Sequence, residues 1–239
     1  MFIIPMAGLS SRFSQAGYTL PKYQLSLHGE TVFGWSVRSF ENYFTTDKFV
    51  FIYRQMNDTA AFLETEIARL GIVDYTLVCL DEPTQGQADT VYQGLRDIKS
   101  DEGLYIFNID SQINTFIKPS WVENCDGYLQ VFKGEGEHWS FVQADAYSKN
   151  VIQTTEKERI SDLCSNGLYY FKNKALFERL FLQAKEQGQT IKNEFYIAPL
   201  YNALIAEKGV VYYDLINAMD MQFCGTPEEY QQQLARMTF

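Results

Sequence analysis

Directly after the apolar run Phe2–Pro5 comes Met6-Ala-Gly-Leu-Ser-Ser-Arg12. Such small residues have little to pack, but they leave main-chain N–H groups open, and a cluster of these binds an anion at close range. Arg12 stands at the rim of this stretch, and Pro21-Lys22 follows ten residues later. Amides flanked by two cations suit a polyphosphate; a surface loop with two ordinary cations is the other reading. Two later stretches follow apolar runs in the same way. Residues 82–90 (EPTQGQADT) come after Tyr75–Leu80, and Asp110 comes after Leu104–Ile109. A carboxylate there can hold a cation or simply cap a turn.

The opening loop is not a dinucleotide fingerprint. It lacks G-x-G-x-x-G, and the second apolar run ends in Tyr53-Arg54-Gln55 with no acidic residue. Nor is it a Walker A loop, because no G-K-[ST] follows.

These residues need elements to position them. Strands are expected at Phe2–Pro5, Lys48–Tyr53, Tyr75–Leu80 and Leu104–Ile109. Helices are expected at Thr31–Tyr43, Asn57–Leu70 (capped by Asn57 or Asp58, ended by Gly71) and Gln87–Ile98. Alternation of this kind implies a doubly wound, mostly parallel α/β sheet, which binds ligands at the carboxyl ends of its strands. The opening loop, the 82–90 stretch and Asp110 all fall at that edge. The second half reads as a small β lobe, with strands at Asp126–Phe132, Trp139–Ala144, Val151–Thr155, Gly167–Phe171, Val210–Leu215 and Met219–Cys224. Its helices are Asn173–Gln187, Glu194–Lys208 (interrupted by Pro199) and Pro227–Met237, the last capped by Thr226. With no Pro/Gly/Ser linker, the expectation is one domain over 1–239.

Composition narrows the function. The chain has 239 residues, 46% of them hydrophobic, enough for a sizeable core. Its net charge of -10, without a Lys/Arg cluster, argues against nucleic acid as partner. No apolar run is long enough to cross a bilayer, and MFIIP lacks the basic start of a signal peptide, so no membrane role and a cytoplasmic location are expected. Cys79, Cys125, Cys164 and Cys224 are scattered without C-x-x-C, which argues against a zinc site or a disulfide framework.

Six segments, in order along nearly the whole chain, resemble the sugar-phosphate nucleotidyltransferases, or pyrophosphorylases. The opening resembles their A-A-G-x-G-[ST]-R followed by P-K: Ala7, Gly8, Ser11, Arg12, Pro21 and Lys22 match, while Met6 replaces an Ala and Ser10 the second Gly. Gly86–Val91 (GQADTV) resembles G-T-A-D-A-[VL], and Ile106–Gln112 (IFNIDSQ) the strand that ends in a metal-binding Asp. Thr155–Phe171 resembles an E-K-P segment with a T-G-x-Y-x-F strand, and Asn193–Ile205 resembles G-E-[IL]-x-[IL]-T-D. Phe223–Tyr230 (FCGTPEEY) resembles the closing D-x-G-T-P-E-[DE]-[YL].

The resemblance implies a Rossmann-like, glycosyltransferase-A-like fold, with a nucleotide-binding half at 1–112 and an acceptor-binding half at 113–239, and transfer of a nucleoside monophosphate from a triphosphate to a small phosphorylated acceptor. It assigns Arg12, Lys22 and Asp110 to catalysis. Met6, Ala7, Gly8, Leu9, Ser10, Ser11, Gln85, Gly86, Gln87 and Ala88 would bind the nucleotide. Glu156, Lys157, Gly167 and Glu194 would bind the acceptor, and Mg²⁺ would sit on Asp110. Taken by themselves, Glu156 and Lys157 also read as a solvated charge run, Glu194 as a helix cap and Gly167 as a close-packing residue. Where many relatives have a second metal-binding Asp, this chain has Phe223. Either Asp220 reaches the metal through a bulge, or Asp110 works with waters and substrate phosphates.

Small residues at Ala7, Gly86 and Ala88 imply backbone readout of a pyrimidine edge, and the short Gly8-to-Arg12 spacing, which resembles that of the short CTP-using family members, makes cytidine expected over uridine or thymidine. The resemblance implies as acceptor a sugar 1-phosphate or a non-sugar such as phosphocholine or another phosphorylated polar metabolite, with capsule or cell-surface polysaccharide synthesis as the expected setting. The alternatives are a glycosyltransferase of related fold, against which Asp110-Ser-Gln112 lacks D-x-D, and a non-catalytic nucleotide-binding regulator, suggested by Phe223. The oligomeric state is not legible.

Overall fold

A computed structural model describes residues 1–236. In chain order the strands are β1 (Phe2–Pro5), β2 (Ser26–Leu27), β3 (Glu30–Thr31), β4 (Lys48–Arg54), β5 (Asp74–Leu80), β6 (Leu104–Phe107), β7 (Ser111–Ile113), β8 (Gly127–Lys133), β9 (Ser140–Ala144), β10 (Val151–Glu156), β11 (Leu163–Phe171), β12 (Val211–Leu215) and β13 (Met221–Phe223). The helices are α1 (Ser11–Gln15), α2 (Val32–Val37), α3 (Thr59–Leu70), α4 (Gln87–Leu95), α5 (Lys174–Glu186), α6 (Leu200–Ala206) and α7 (Pro227–Ala235). The fold is mixed α/β, as expected. Two parallel pairings join first-half strands, β1 with β6 and β4 with β5. Continuous apolar runs such as KFVFIY suit strands covered on both faces.

The chain packs as two compact units, each drawn from separated stretches. One comprises Ile4–Pro83, Asn108–Ile117 and the chain from Met219. In it, β4 and β5 pair from Lys48↔Asp74 to Arg54↔Leu80, and Phe33 of α2 packs on Phe51 of β4 and Phe62 of α3. Phe13, Leu25, Leu27, Val32, Cys224 and Tyr230 form an apolar cluster beneath the opening loop and α7. Helix α7 starts with Pro227 and a reciprocal Thr226–Glu229 capping box. The expected helix end at Met237 lies outside the described residues.

The other unit comprises Met1–Ile3, Thr84–Phe107 and Lys118–Ala218. Here β11 pairs antiparallel with β6, β8 and β9, β10 extends β9, and β12 joins β8 in parallel. These ladders join the strands expected between Asp126 and Leu215 to β6 of the first half, whereas the strand expected at Met219–Cys224 is β13, which pairs with β7 in the first unit. Asn173 caps α5, whose Phe177 and Phe181 meet Phe171 and Tyr92.

Several boundaries differ from the sequence expectation. The helix expected over Thr31–Tyr43 is α-helical only to Val37 and continues as a tighter turn through Tyr43, with a kink at Phe40. Asp58 takes the N-cap position of α3 and Gly71 its end, but the Asp58 side chain makes no capping hydrogen bond; both Asn57 and Asp58 adopt left-handed backbone, and the Asn57 side chain donates to the Thr19 carbonyl. The helix expected over Glu194–Lys208 is confined to Leu200–Ala206, because Pro199 takes its N-cap. Residues 194–198 lie outside it, so Glu194 caps no helix.

Candidate active site

Two sets of the expected residues are assembled, one in each unit. In the first unit the main chain leaves β1 at Met6, whose N–H donates to the Ile52 carbonyl of β4 (2.8 Å). Met6 and Ala7 are buried, whereas Gly8, Leu9, Ser11 and Arg12 are exposed. The N–H groups of Gly8, Leu9, Ser10, Ser11 and Arg12 donate to no backbone group among the described residues. Ser10, at the position where the related motif has glycine, adopts the left-handed conformation (φ 51°). A non-glycine residue rarely does so without local support. Here the Ser10 Oγ accepts the Lys22 N–H (3.4 Å), which ties the loop to the Pro21-Lys22 turn.

Lys22 opens a short turn, and its Nζ donates to Asp110 Oδ2 at 2.5 Å. Asp110 lies three residues beyond β6, in the turn into β7. That turn is pinned to α2 and the tighter turn after it: Ser36 Oγ donates to the Ser111 carbonyl (2.6 Å), and Ser39 Oγ accepts the Ile113 N–H (2.9 Å). The Asp110 carbonyl accepts the Cys224 N–H (2.8 Å). Burial, then the neighbouring Asp110 charge, pushes the Cys224 thiol up to about 12. It remains a protonated packing group. A Cβ added to Gly225 would lie 3.1 Å from Asp110 Oδ2 and 3.4 Å from Glu229 Oε2. The glycine thus keeps space open beside both carboxylates. Ser36, Ser39, Gly225 and Glu229 escaped the sequence reading; only G-T-P-E-E-Y carried a signal for the last two.

Asp220 is not brought to Asp110. It precedes β13, its carboxylate and carbonyl both accept from Asn114, and β13 pairs with β7 so that Met221 faces Ile113 and Phe223 faces Ser111. Asp110 pairs with Cys224, four positions along, which is about 13 Å of strand. No bulge shortens this path, so Asp220 does not replace the missing Asp at 223. Among the described residues, no group of three His, Cys, Asp or Glu gathers to hold a metal ion.

In the second unit, Gly86 stands before α4 with φ 99°. A Cβ there would lie 2.7 Å from the Phe195 carbonyl oxygen and 2.8 Å from its nitrogen, so glycine is needed for both conformation and space. The Phe195 N–H donates to the Gln85 carbonyl (2.7 Å), and the Ala88 N–H donates to the Phe195 carbonyl (3.0 Å). The Gln85 N–H is taken by the buried Asp89 carboxylate (2.8 Å). Ala88, fully enclosed with its N–H taken, therefore holds the loop and offers a ligand no donor.

Glu156 ends β10 in a buried position. Its carboxylate accepts from Ser140 Oγ, which also meets the Tyr169 hydroxyl at 3.3 Å. Burial pushes the Glu156 carboxyl above its ordinary range, against the pull of Ser140 and Lys157. Lys157 has left-handed backbone (φ 58°), its N–H donates to the Trp139 carbonyl (2.8 Å), and its Nζ donates to the Tyr196 hydroxyl. Gly167 (φ 91°) lies in an irregularity of β11 between Ser165 and Tyr169. Glu194 is exposed and exchanges both main-chain hydrogen bonds with Ile191 across a left-handed Lys192-Asn193 turn.

No protein-family model and no curated protein matches the chain. Solved structures do. The nucleoside-diphosphate-sugar pyrophosphorylase from Vibrio cholerae RC9 is 43% identical, with 99% of this chain and 100% of that one covered and a TM-score of 0.95. A putative glucose-1-phosphate thymidylyltransferase from Bacillus anthracis (18% identity, 100% and 96% covered, TM-score 0.76) shares the fold. So does the inositol-1-phosphate CTP transferase from T. maritima (14%, 97% and 94%, TM-score 0.73). Among the described residues, no helix is long and apolar enough to cross a membrane. With 43% identity maintained from end to end, the chain belongs to the nucleoside-diphosphate-sugar pyrophosphorylases and is a nucleotidyltransferase.

Proposed function

We propose that the enzyme transfers a nucleoside monophosphate, CMP in preference to UMP or dTMP, from its triphosphate to a sugar 1-phosphate or another small phosphorylated metabolite. Pyrophosphate leaves, and the product serves capsule or cell-surface polysaccharide synthesis in the cytoplasm. The observation that carries this reading is the Lys22–Asp110 contact in the same unit as the open amides of Gly8–Arg12.

Both reactants are polyanions, so the protein's work is alignment and charge neutralisation. The loop amides and Arg12 take the β- and γ-phosphates of the leaving group. Arg12 forms no ion pair among the described residues, so its guanidinium is open to an anion. Lys22 takes the α-phosphate, where charge builds up. Lys157 holds the incoming phosphate, whose dianion is already the nucleophile, so no general base is needed.

The all-oxygen donors and the side-chain-free space at Gly225 fit a hard cation such as Mg²⁺ that keeps most of its own water. Asp110 is the residue that would hold it, with Glu229 bordering the same space. A bound Mg²⁺ neutralises phosphate charge.

The test is pyrophosphate release across CTP, UTP, dTTP and ATP, each with glucose 1-phosphate, other sugar 1-phosphates, inositol 1-phosphate or phosphocholine. Release that requires one phosphorylated acceptor supports the reading. Turnover of a nucleotide-sugar donor in its place, or nucleotide binding without turnover, overturns it.

A further inference from the structure

Lys157 is a long, flexible side chain with an acidic neighbour. Its Nζ lies 3.6 Å from Glu156 Oε1, so without another constraint the ammonium would settle on that carboxylate. Tyr196 opposes this. The ammonium donates to the Tyr196 hydroxyl and stands 4.2 Å from the centre of its ring. A cation over an aromatic face and a hydrogen bond at the ring's rim together select one arrangement of the lysine's four rotatable bonds.

Tyr196 can do this because its own segment is pinned on both sides. Before it, Phe195 makes two main-chain bonds to Gln85 and Ala88. After it, the Ala198 carbonyl accepts from Thr154 Oγ1 (2.6 Å), and the Asn202 side-chain amide brackets the main chain of Thr154 at 2.8 Å on each side. Thr154 is in β10, three residues before Lys157. The separation of Tyr196 from Lys157 is therefore set by hydrogen bonds that neither side chain makes. The lysine's backbone is held in turn by its left-handed conformation and its bond to Trp139.

We propose that Tyr196 is the positioning residue of Lys157, drawing the ammonium's hydrogen bond to itself while the ammonium stays 3.6 Å from Glu156, so that it is ready for the acceptor phosphate before that phosphate arrives. The inference rests on the reading of Lys157 as the acceptor-phosphate cation. A preorganised cation binds without the cost of ordering its side chain, so the effect falls on acceptor affinity. It does not fall on triphosphate affinity.

The test uses initial rates of the full chain with the triphosphate–acceptor pair that turns over in the panel above. Tyr196→Leu removes ring and hydroxyl and raises the acceptor KM by about tenfold, with the triphosphate KM unchanged. Tyr196→Phe keeps the ring and recovers part of that loss. In the Lys157→Met background, Tyr196→Leu adds nothing further, because its partner is gone. If Lys157→Met leaves the acceptor KM unchanged, or no pair turns over, the underlying reading fails. If Lys157→Met raises it but Tyr196→Leu does not, or the two effects simply add, the positioning role is overturned. Should Tyr196→Leu fail to fold, the comparison of Tyr196→Phe alone and with Lys157→Met decides in the same way.

Discussion

Lys22 and Asp110, 88 residues apart in sequence, meet at 2.5 Å between Nζ and Oδ2. Each is held by its own turn, Lys22 by the bond from its N–H to Ser10 and Asp110 by the Ser36 and Ser39 pins around residues 108–113. The ion pair is partly exposed, which orients both groups while leaving them within reach of a ligand.

Lys22→Met should lower turnover by on the order of 10²–10³, as loss of a preorganised transition-state donor does elsewhere. The triphosphate KM should move less than kcat, since the lysine acts where charge develops. Steady-state kinetics read both values, and a melting curve close to wild type confirms the fold.

Gly225→Ala should interfere with Asp110. The added Cβ would lie 3.1 Å from Asp110 Oδ2, in the space where a hydrated cation would sit. The expected outcome is a higher Mg²⁺ requirement for activity and weaker binding of Mn²⁺, read by its paramagnetic signal. Asp220→Asn, at the far end of the β7–β13 pair, should change neither.

Gly86→Ala should destabilise the fold itself. Its Cβ would approach Phe195 backbone atoms at 2.7 and 2.8 Å, and its φ of 99° disfavours a side chain. A loss of about 1–3 kcal/mol is expected, visible as a lower denaturation midpoint.

Glu156 makes stability depend on pH. Burial raises its folded-state pKa above the ordinary 4.5, so between those two values the folded chain binds more protons than the unfolded one. Its contribution therefore falls as pH rises through that window. Glu156→Gln should remove this fall, flattening the melting temperature measured from about pH 4 upward relative to wild type.

Much of the frame was legible in the sequence. Runs such as KFVFIYR and LYIF are too apolar and β-branched or aromatic to be anything but covered strands. Thr226, Pro227 and Glu229 announce the start of α7 through local hydrogen bonding alone. The Glu194–Lys208 stretch misled because Phe195, Leu200, Tyr201 and Leu204 also suit a helical face. The main-chain bonds of Phe195 to residues 85–88 draw its first part out of helix, and no local propensity records them. Asp220 misled for a similar reason, since nearness in sequence to Phe223 says nothing about ladder register.

The sequence by itself determined the order of the longer strands and helices, the amide-rich opening loop with Arg12 and Lys22, and kinship with the pyrophosphorylases, because these depend on residue types over short spans. Tertiary structure alone decided that residues 108–117 and the chain from Met219 pack with residues 4–83, so that Asp110 meets Lys22 and Gly225. It also decided that Tyr196 rather than Glu156 takes the hydrogen bond from the Lys157 ammonium. These outcomes turn on hydrogen bonds between distant segments, whose partners are chosen by three-dimensional packing and not by neighbours in the chain.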